Sequence, residues 1–433
     1  MKLLIKQACI IDPLSSHHGK IQDILIENGI IREIAKDISE KADEFVDRKG
    51  AQVSPGWVDI FSNFADPGFE FKETLETGAA AAAAGGFTDV FLIPNTLPVT
   101  DNKSQVESLI HRNGGLPVTI NPGRVSGISV NIHPIGAITK NLDGRHLAEM
   151  YDMKNSGAVA FSDGLHPVQS SGVLVKALQY VKAFNGVIIQ IPDDSSISPN
   201  GLIHEGIIST KLGLPGKPMM SEELIIARDI KLARYTHSRI HFTGVTSPKS
   251  IDYIRRGKDS GVDISCSVTP YHLFFSDESL LDYDTNLKVY PPLRPKAVVS
   301  QLKQALVDGT VDCIASHHLP HEYDSKILEF ENAKFGMTGL ETSYAVVQTL
   351  FPDLSAEKIY ALFGGNARRI FNLDPCTIEK GSSANLTLFS PETRWTFDLT
   401  KTASKSKNSP FYDKPFTGKA LGIITKGKLH LSH

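Results

Sequence analysis

The stretch 55–98, PGWVDIFSNFADPGFEFKETLETGAAAAAAGGFTDVFLIPNTLP, constrains the fold of this chain more than any other. It opens on a strand-like apolar run and passes into an alanine tract at 79–84, which favours helix. Gly85-Gly86 then ends the helix. Residues 87–93 form a largely apolar run, the pattern of a strand buried on both faces. The alternation continues to about residue 376. Strands are predicted at 118–121, 130–132, 158–161, 187–191, 239–245, 263–268 and 311–316, and helices at 172–184, 221–236, 248–257 and 300–308. Strand–helix alternation over more than 300 residues predicts a (β/α)₈ barrel. No repeat, low-complexity tract or phosphate-binding glycine loop interrupts it.

The two ends of the chain read differently. Residues 3–5, 21–27 and 29–34 are short β-rich runs, and Asn28-Gly29 is a strong signal for a two-residue hairpin. Residues 384–390, 395–398 and 420–431 have the same character. The expectation is a barrel over 55–377 and a small β-sandwich built jointly from 1–54 and 378–433. The 433 residues are 41% hydrophobic and 21% charged, with a formal net charge of −3, which gives no reason to expect nucleic acid or an anionic membrane as partner. There is no run of about 18 apolar residues and no signal-peptide pattern. Cys9, Cys266, Cys313 and Cys376 form no CxxC pair and read as reduced thiols of a cytoplasmic protein.

The opening stretch also resembles a family. Pro55, Gly56, Asp59, Asp66-Pro67-Gly68, Lys72, Glu73, Thr77, Gly78, Gly85, Gly86 and Pro94-Asn95-Thr96 fall in register with the dihydroorotases, cyclic amidohydrolases of the amidohydrolase superfamily. The run Gly336 to Thr342 is similar to that family's FGxxGLET motif, and Gly364-Gly365-Asn366-Ala367-Arg368 is a looser match to its NPA. The lysine- and serine-rich run 401–407, expected to be a solvated loop, resembles the family's SKSKNxPF segment. The resemblance implies the barrel-plus-sandwich fold, hydrolysis of a cyclic amide, and zinc held by histidines and acids at the strand ends.

The residues at those strand ends depart from the pattern. Where the family has DxHxH, this chain has Asp59, Phe61 and Asn63. Gln190 stands at the histidine of HCED, Gly244 at that of HxxHVST, and His317 at the acid of ATDHAPH. Asp163, in Phe161-Ser162-Asp163-Gly164, is the one metal ligand that the resemblance carries over, and it reads equally well as an acid capping the following turn. His241 matches a non-ligating histidine and reads as a core residue. His317, His318 and His321 form a cluster that invites a metal reading of its own. Neighbouring strand residues point to opposite faces, so at most one of His317 and His318 should face the barrel mouth. In the substrate pocket Asn95 is kept, whereas Ala65 replaces the carboxylate-binding arginine and Tyr290 a substrate-binding asparagine.

Three readings follow. The first is a metal-free, inactive member of pyrimidine biosynthesis, a homo-oligomer that serves as structural or regulatory partner of aspartate transcarbamoylase or of an active dihydroorotase. In it Asp59, Asp163, His317 and Asn95 are vestigial. The second is an active dihydroorotase, converting dihydroorotate to N-carbamoyl-L-aspartate with an atypical site on Asp163, His317 and Asp59. The third is a small-molecule sensor using the old pocket.

Overall fold

A computed structural model describes residues 2–112 and 128–432. The predicted strand at 118–121 lies outside the described residues. Eight parallel strands follow one another around a barrel in sequence order: Trp57–Ser62, Phe87–Leu92, Asn131–Gly136, Ala160–Phe161, Val187–Gln190, Arg239–Phe242, Ile264–Val268 and Cys313–Ile314. The first and last meet where the Asn63 amide donates to the carbonyl of His318 at 2.9 Å, beside a parallel bridge between Ser62 and His318. The eight strands needed for closure are therefore all present among the described residues. Helices Leu75–Ala84, Ser171–Lys182, Met220–Thr236, Pro248–Asp259 and Lys296–Val307 pack outside, at the predicted places.

The alanine tract explains how tightly the first helix seats. Ala79, Ala81, Ala82 and Ala83 are buried, and small side chains let the helix approach the sheet closely. Thr74 caps its N-terminus by accepting from the Thr77 amide, and Thr77 returns a bond to the Thr74 amide.

The termini form one mixed, mainly antiparallel sheet. Its spatial order is Lys428–Leu431, Pro415–Thr425, Leu386–Thr396, Gln52–Pro55, Lys2–Ile10, Ile21–Glu27 and Ile30–Ala35, with Glu44–Asp47 also pairing Lys2–Ile10. The N- and C-terminal parts are joined where Pro55 pairs with Leu386 and Val53 with Leu388. Asn28 and Gly29, with φ of 50° and 78°, make the two-residue turn between Glu27 and Ile30, as the hairpin signal required.

Two features lock the sheet to the barrel. Trp57 is fully buried among Phe87, Tyr344, Phe363 and Phe389, with ring centroids 5.0–6.4 Å away. The second is the segment expected to be a solvated loop. Its lysines are exposed and Thr402 and Ala403 half-buried, whereas Ser404, Ser406 and Asn408 are buried. Ser404 and the Lys405 amide both donate to Glu73, and Ser406 donates to the Lys72 carbonyl. Asn408 donates to the carbonyls of Leu319 and Gly336 and accepts from the His321 amide. The alternation of lysine with serine reflects one face in water and one face on the barrel.

Truncating Trp57 to alanine empties the centre of this seam. The expected outcome is a loss of about 3–5 kcal/mol, read as a lower urea midpoint for the first unfolding transition.

Candidate functional site

Barrel chemistry sits at the C-terminal ends of the strands, and this chain fills that space with buried groups most of which are bonded to their own neighbours; the exceptions are His317 Nδ1, His318 Nε2 and His321 Nδ1, which have no hydrogen-bond partner. Asp59, on the first strand, is fully buried. Its carboxylate accepts from the Ser316 amide at 2.7 Å, the Ser316 hydroxyl at 2.9 Å and the Ser62 hydroxyl at 2.5 Å. It ties the first strand to the segment after the eighth, and burial pushes its carboxyl above the ordinary carboxylate value. Phe61 packs on His317, ring centroids 4.6 Å apart and planes tilted by 34°. Asn63 turns back on its own loop, its side-chain oxygen accepting from the Ala65 amide at 2.7 Å.

Asp163 is buried and accepts from the amides of Ile138 and Thr139, each at 2.9 Å, and from the Thr139 hydroxyl. It therefore caps the loop after the third strand. Burial outweighs these bonds and raises its carboxyl to about 6. Gln190 spans to the neighbouring loop, accepting from the Val168 amide at 3.3 Å and donating to Asp229 at 3.2 Å. Asn95 accepts from the Leu165 amide at 3.1 Å and rests on Gly164, where a β-carbon would come within 1.7 Å of its side-chain oxygen.

His317 is the centre of the filled space. It adopts a left-handed backbone conformation, φ 45°, and is buried. Its Nε2 lies 2.7 Å from the Thr243 hydroxyl, which is 2.9 Å from Ser267, which in turn is 3.0 Å from His241 Nε2; His241 Nδ1 is 2.8 Å from Ser265. Ser267 donates to Thr243, and the Thr243 hydroxyl shares a hydrogen bond with His317 Nε2, while His317 Nδ1 is buried without a hydrogen-bond partner. Burial, reinforced by His272 and His241, lowers His317 to about 3. Gly244 makes the room: a β-carbon there would stand 2.8 Å from the His317 ring, and its φ is 70°.

The other two histidines of the cluster point elsewhere. His318 Nδ1 accepts from the Gly339 amide at 3.2 Å, and its Nε2 faces Glu73 at 3.5 Å. His321 donates through Nε2 to the Phe335 carbonyl at 2.9 Å. His241 is a core histidine held between two serines.

The substrate side carries a device that residue-by-residue reading missed. Tyr290 packs on Lys217, whose ammonium is 5.9 Å from the ring centroid and 3.0 Å from Asp193. Lys217 and Asp193 are both about 6% exposed. Tyr290 announced itself as a replacement; its partners carried no signal, because Lys217 comes from a distant two-residue strand, Gly216–Lys217. What remains open is a pocket of about 170 Å³ walled by Asn63, Ala65, Lys72, Asn95, His166 and His321. Asp163, Gln190, Gly244 and His317 do not line it.

A zinc centre needs three or four convergent nitrogen, sulfur or carboxylate donors. Among the described residues no three His, Cys, Asp or Glu side chains converge in that way. Asp59, Asp163 and His317 share no bonding partner, since each is committed to a different group. The donor set does not fit the metal.

Solved structures place the architecture. The chain superposes on an L-hydantoinase (dihydropyrimidinase) from Arthrobacter aurescens with a TM-score of 0.83 and 23% identity, covering 99% of this chain and 95% of that one. A D-hydantoinase (dihydropyrimidinase) from Thermus sp. gives 0.81 and 19%, with 99% and 95% covered. These define an amidohydrolase-type barrel with a terminal β-sandwich. A family model described as "Dihydro-orotase-like" matches residues 50–250. Proteins named dihydroorotase from Geobacter metallireducens and Pelotomaculum thermopropionicum are each 39% identical, over 99% of this chain and 99% and 98% of their own lengths. The chain belongs to the dihydroorotase family.

Two outcomes follow from the packing. Gly244→His must push its β-carbon into the His317 ring from a strained backbone, so it should cost about 2–4 kcal/mol in chemical denaturation rather than create a ligand. The second concerns acid. Burial holds His241, His272 and His317 near 3 and His204 and His321 near 4, so the native state refuses protons that the unfolded chain takes below about 6.5. Their contribution is complete above that pH and is lost as pH falls toward 4. Asp163 and Asp229, raised to about 6, act oppositely, gaining stability between about 6 and 3.8. The five histidines outnumber them, and urea stability should fall by roughly 1–4 kcal/mol per pH unit between pH 6 and 4.

Proposed function

We propose that this chain is a non-catalytic member of the dihydroorotase family, acting as a structural or regulatory partner of aspartate transcarbamoylase or of an active dihydroorotase, itself as a homo-oligomer. One observation carries the reading: positions 61, 63, 163, 190, 244 and 317 offer no convergent set of metal donors, since Phe61 and Gly244 only pack on His317 while Asn63, Asp163 and Gln190 bond to separate loops. Hydrolysing a cyclic amide near neutral pH requires an activated water, an electrophile for the carbonyl and a proton relay. His317 supplies none of them. Its Nε2 is engaged with the Thr243 hydroxyl, and at about 3 it is far from the pH at which a general base works well. The substrate carboxylate meets Ala65 in place of a guanidinium, which removes a bidentate charge-assisted pair. The Lys217–Asp193–Tyr290 group occupies the other side of the mouth.

A second reading, an active dihydroorotase with an atypical site, is favoured by a specific finding: full-length relatives at 36–39% identity carry that name. For it to hold, a metal beside Asp163 would need further donors drawn from outside the present arrangement.

A coupled assay with dihydroorotate and with N-carbamoyl-L-aspartate, with and without added zinc, separates the two. The expected result is no turnover, no stoichiometric zinc by elemental analysis, and co-purification with aspartate transcarbamoylase. Turnover above roughly 1 s⁻¹, the low end for ordinary enzymes, establishes the second reading instead. Inactivity without a captured partner removes the assembly role alone.

A further inference from the structure

A cleft of about 580 Å³ has no part in the site described above. It lies where strands Gln52–Pro55, Leu386–Thr396 and Pro415–Thr425 of the terminal sheet meet helices Ser343–Leu350 and Ala356–Tyr360. Its volume is within the roughly 300–1,000 Å³ usual for small-molecule sites. The apolar lining is Pro352, Leu354, Ala356, Ile359, Phe389 and Pro391. Ile359 and Phe389 are each buried and form the floor.

The polar lining is placed by the fold. Gln348 is 5% exposed and fits only because residue 418 is glycine: with φ at 91°, a β-carbon there would stand 2.5 Å from the Gln348 Cγ. The Gln348 Oε1 accepts from the Tyr344 hydroxyl at 3.4 Å, which leaves its amide N–H groups for the cleft. Gln52 lines the cleft from the facing strand, and its Oε1 has no hydrogen-bond partner. Glu392 and Arg394 come from an irregularity in strand Leu386–Thr396. From Ser390 to Arg394 that strand takes four steps while its partner takes two, and the Thr393 hydroxyl donates to the Ser390 hydroxyl at 2.9 Å across the bulge. Bulges re-aim side chains in this way. Glu392 and Arg394 are exposed and both line the cleft. Among the described residues neither forms an ion pair, with the other or with any third group.

The rim therefore presents one anion and one cation two residues apart, roughly 7 Å along an extended strand. Either charge alone would take any counter-ion. The two together, above an apolar floor, match a small zwitterion with an apolar tail. A carboxylate suits the fork of Arg394, with the Gln348 amide as a further donor. An ammonium suits Glu392 and supplies the donor that Gln52 Oε1 lacks. We propose that this cleft binds a free α-amino acid with an apolar side chain, its carboxylate on Arg394 and Gln348, its ammonium on Glu392 and its side chain against Ile359 and Phe389.

The full-length protein is titrated calorimetrically with L-leucine and with L-phenylalanine. The controls are the amide of each, which lacks the carboxylate, the deaminated acid of each, which lacks the ammonium, and glycine, which lacks the side chain. The expected result is saturable binding of at least one of the two amino acids with a dissociation constant below about 1 mM, and binding at least about tenfold weaker for every control. Arg394→Ala and Glu392→Ala, both at exposed positions, should each weaken binding several-fold. Each should also erase one preference: Arg394→Ala that for the amino acid over its amide, Glu392→Ala that for the amino acid over its deaminated acid. No saturation with either amino acid, a control that binds as tightly as the better amino acid, or affinities unchanged in both variants overturns the proposal.

Discussion

Closure of the barrel depends on one buried carboxylate. Strands of a barrel must meet first to last or leave an edge of unpaired backbone groups. Here the eighth strand, Cys313–Ile314, is short, and the meeting falls on the segment just beyond it. Asp59 reaches across from the first strand to take both the amide and the hydroxyl of Ser316. Its surroundings penalise the charge, yet three donors hold the oxygens in place. The His317 and His318 backbones are positioned by this junction, and from there the two side chains diverge, one into the barrel and one toward Glu73. An acid at a family motif position is thus occupied by architecture.

Much of the fold was legible because its signals are local. Alternating strand and helix patterns, the alanine tract and the Asn28-Gly29 turn each depend on a few adjacent residues, and their elements stand within a few residues of the places expected. The composite terminal sheet was legible from matching composition at both ends. The segment 401–407 was misread for a physical reason: its charge suggested water on all sides, whereas alternation puts Ser404 and Ser406 on the barrel and only the lysines outside. At the candidate site, substitutions such as Phe61 and Gly244 were visible one by one. Their mutual contacts were not, because the Thr243–Ser267–His241 chain and the Lys217–Asp193–Tyr290 group join residues from separate strands and loops.

The full-length identity of 39% and the altered strand ends are compatible findings. Identity over 99% of the chain measures the scaffold, which is most of the sequence, whereas catalysis is set by a few side chains.

The substitutions also form a consistent physical set. A site emptied of a divalent cation leaves its acids buried without a counter-charge, which costs far more than a neutral group in the same place. Position 317 now carries a neutral imidazole. Asp163 is tolerated as a buried acid because two backbone amides and the Thr139 hydroxyl bond to it. Phe61 packs against His317, and that contact needs Gly244, because a β-carbon there would strike the ring. Each replacement therefore conditions the next. Returning histidine to 61 and 63 alone removes the partner of His317 while leaving 190, 244 and 317 without ligands. The interior would then add unpaired polar nitrogens to the His317 Nδ1 that already lacks a hydrogen-bond partner, in place of a packed ring, so histidines at 61 and 63 alone destabilise the interior.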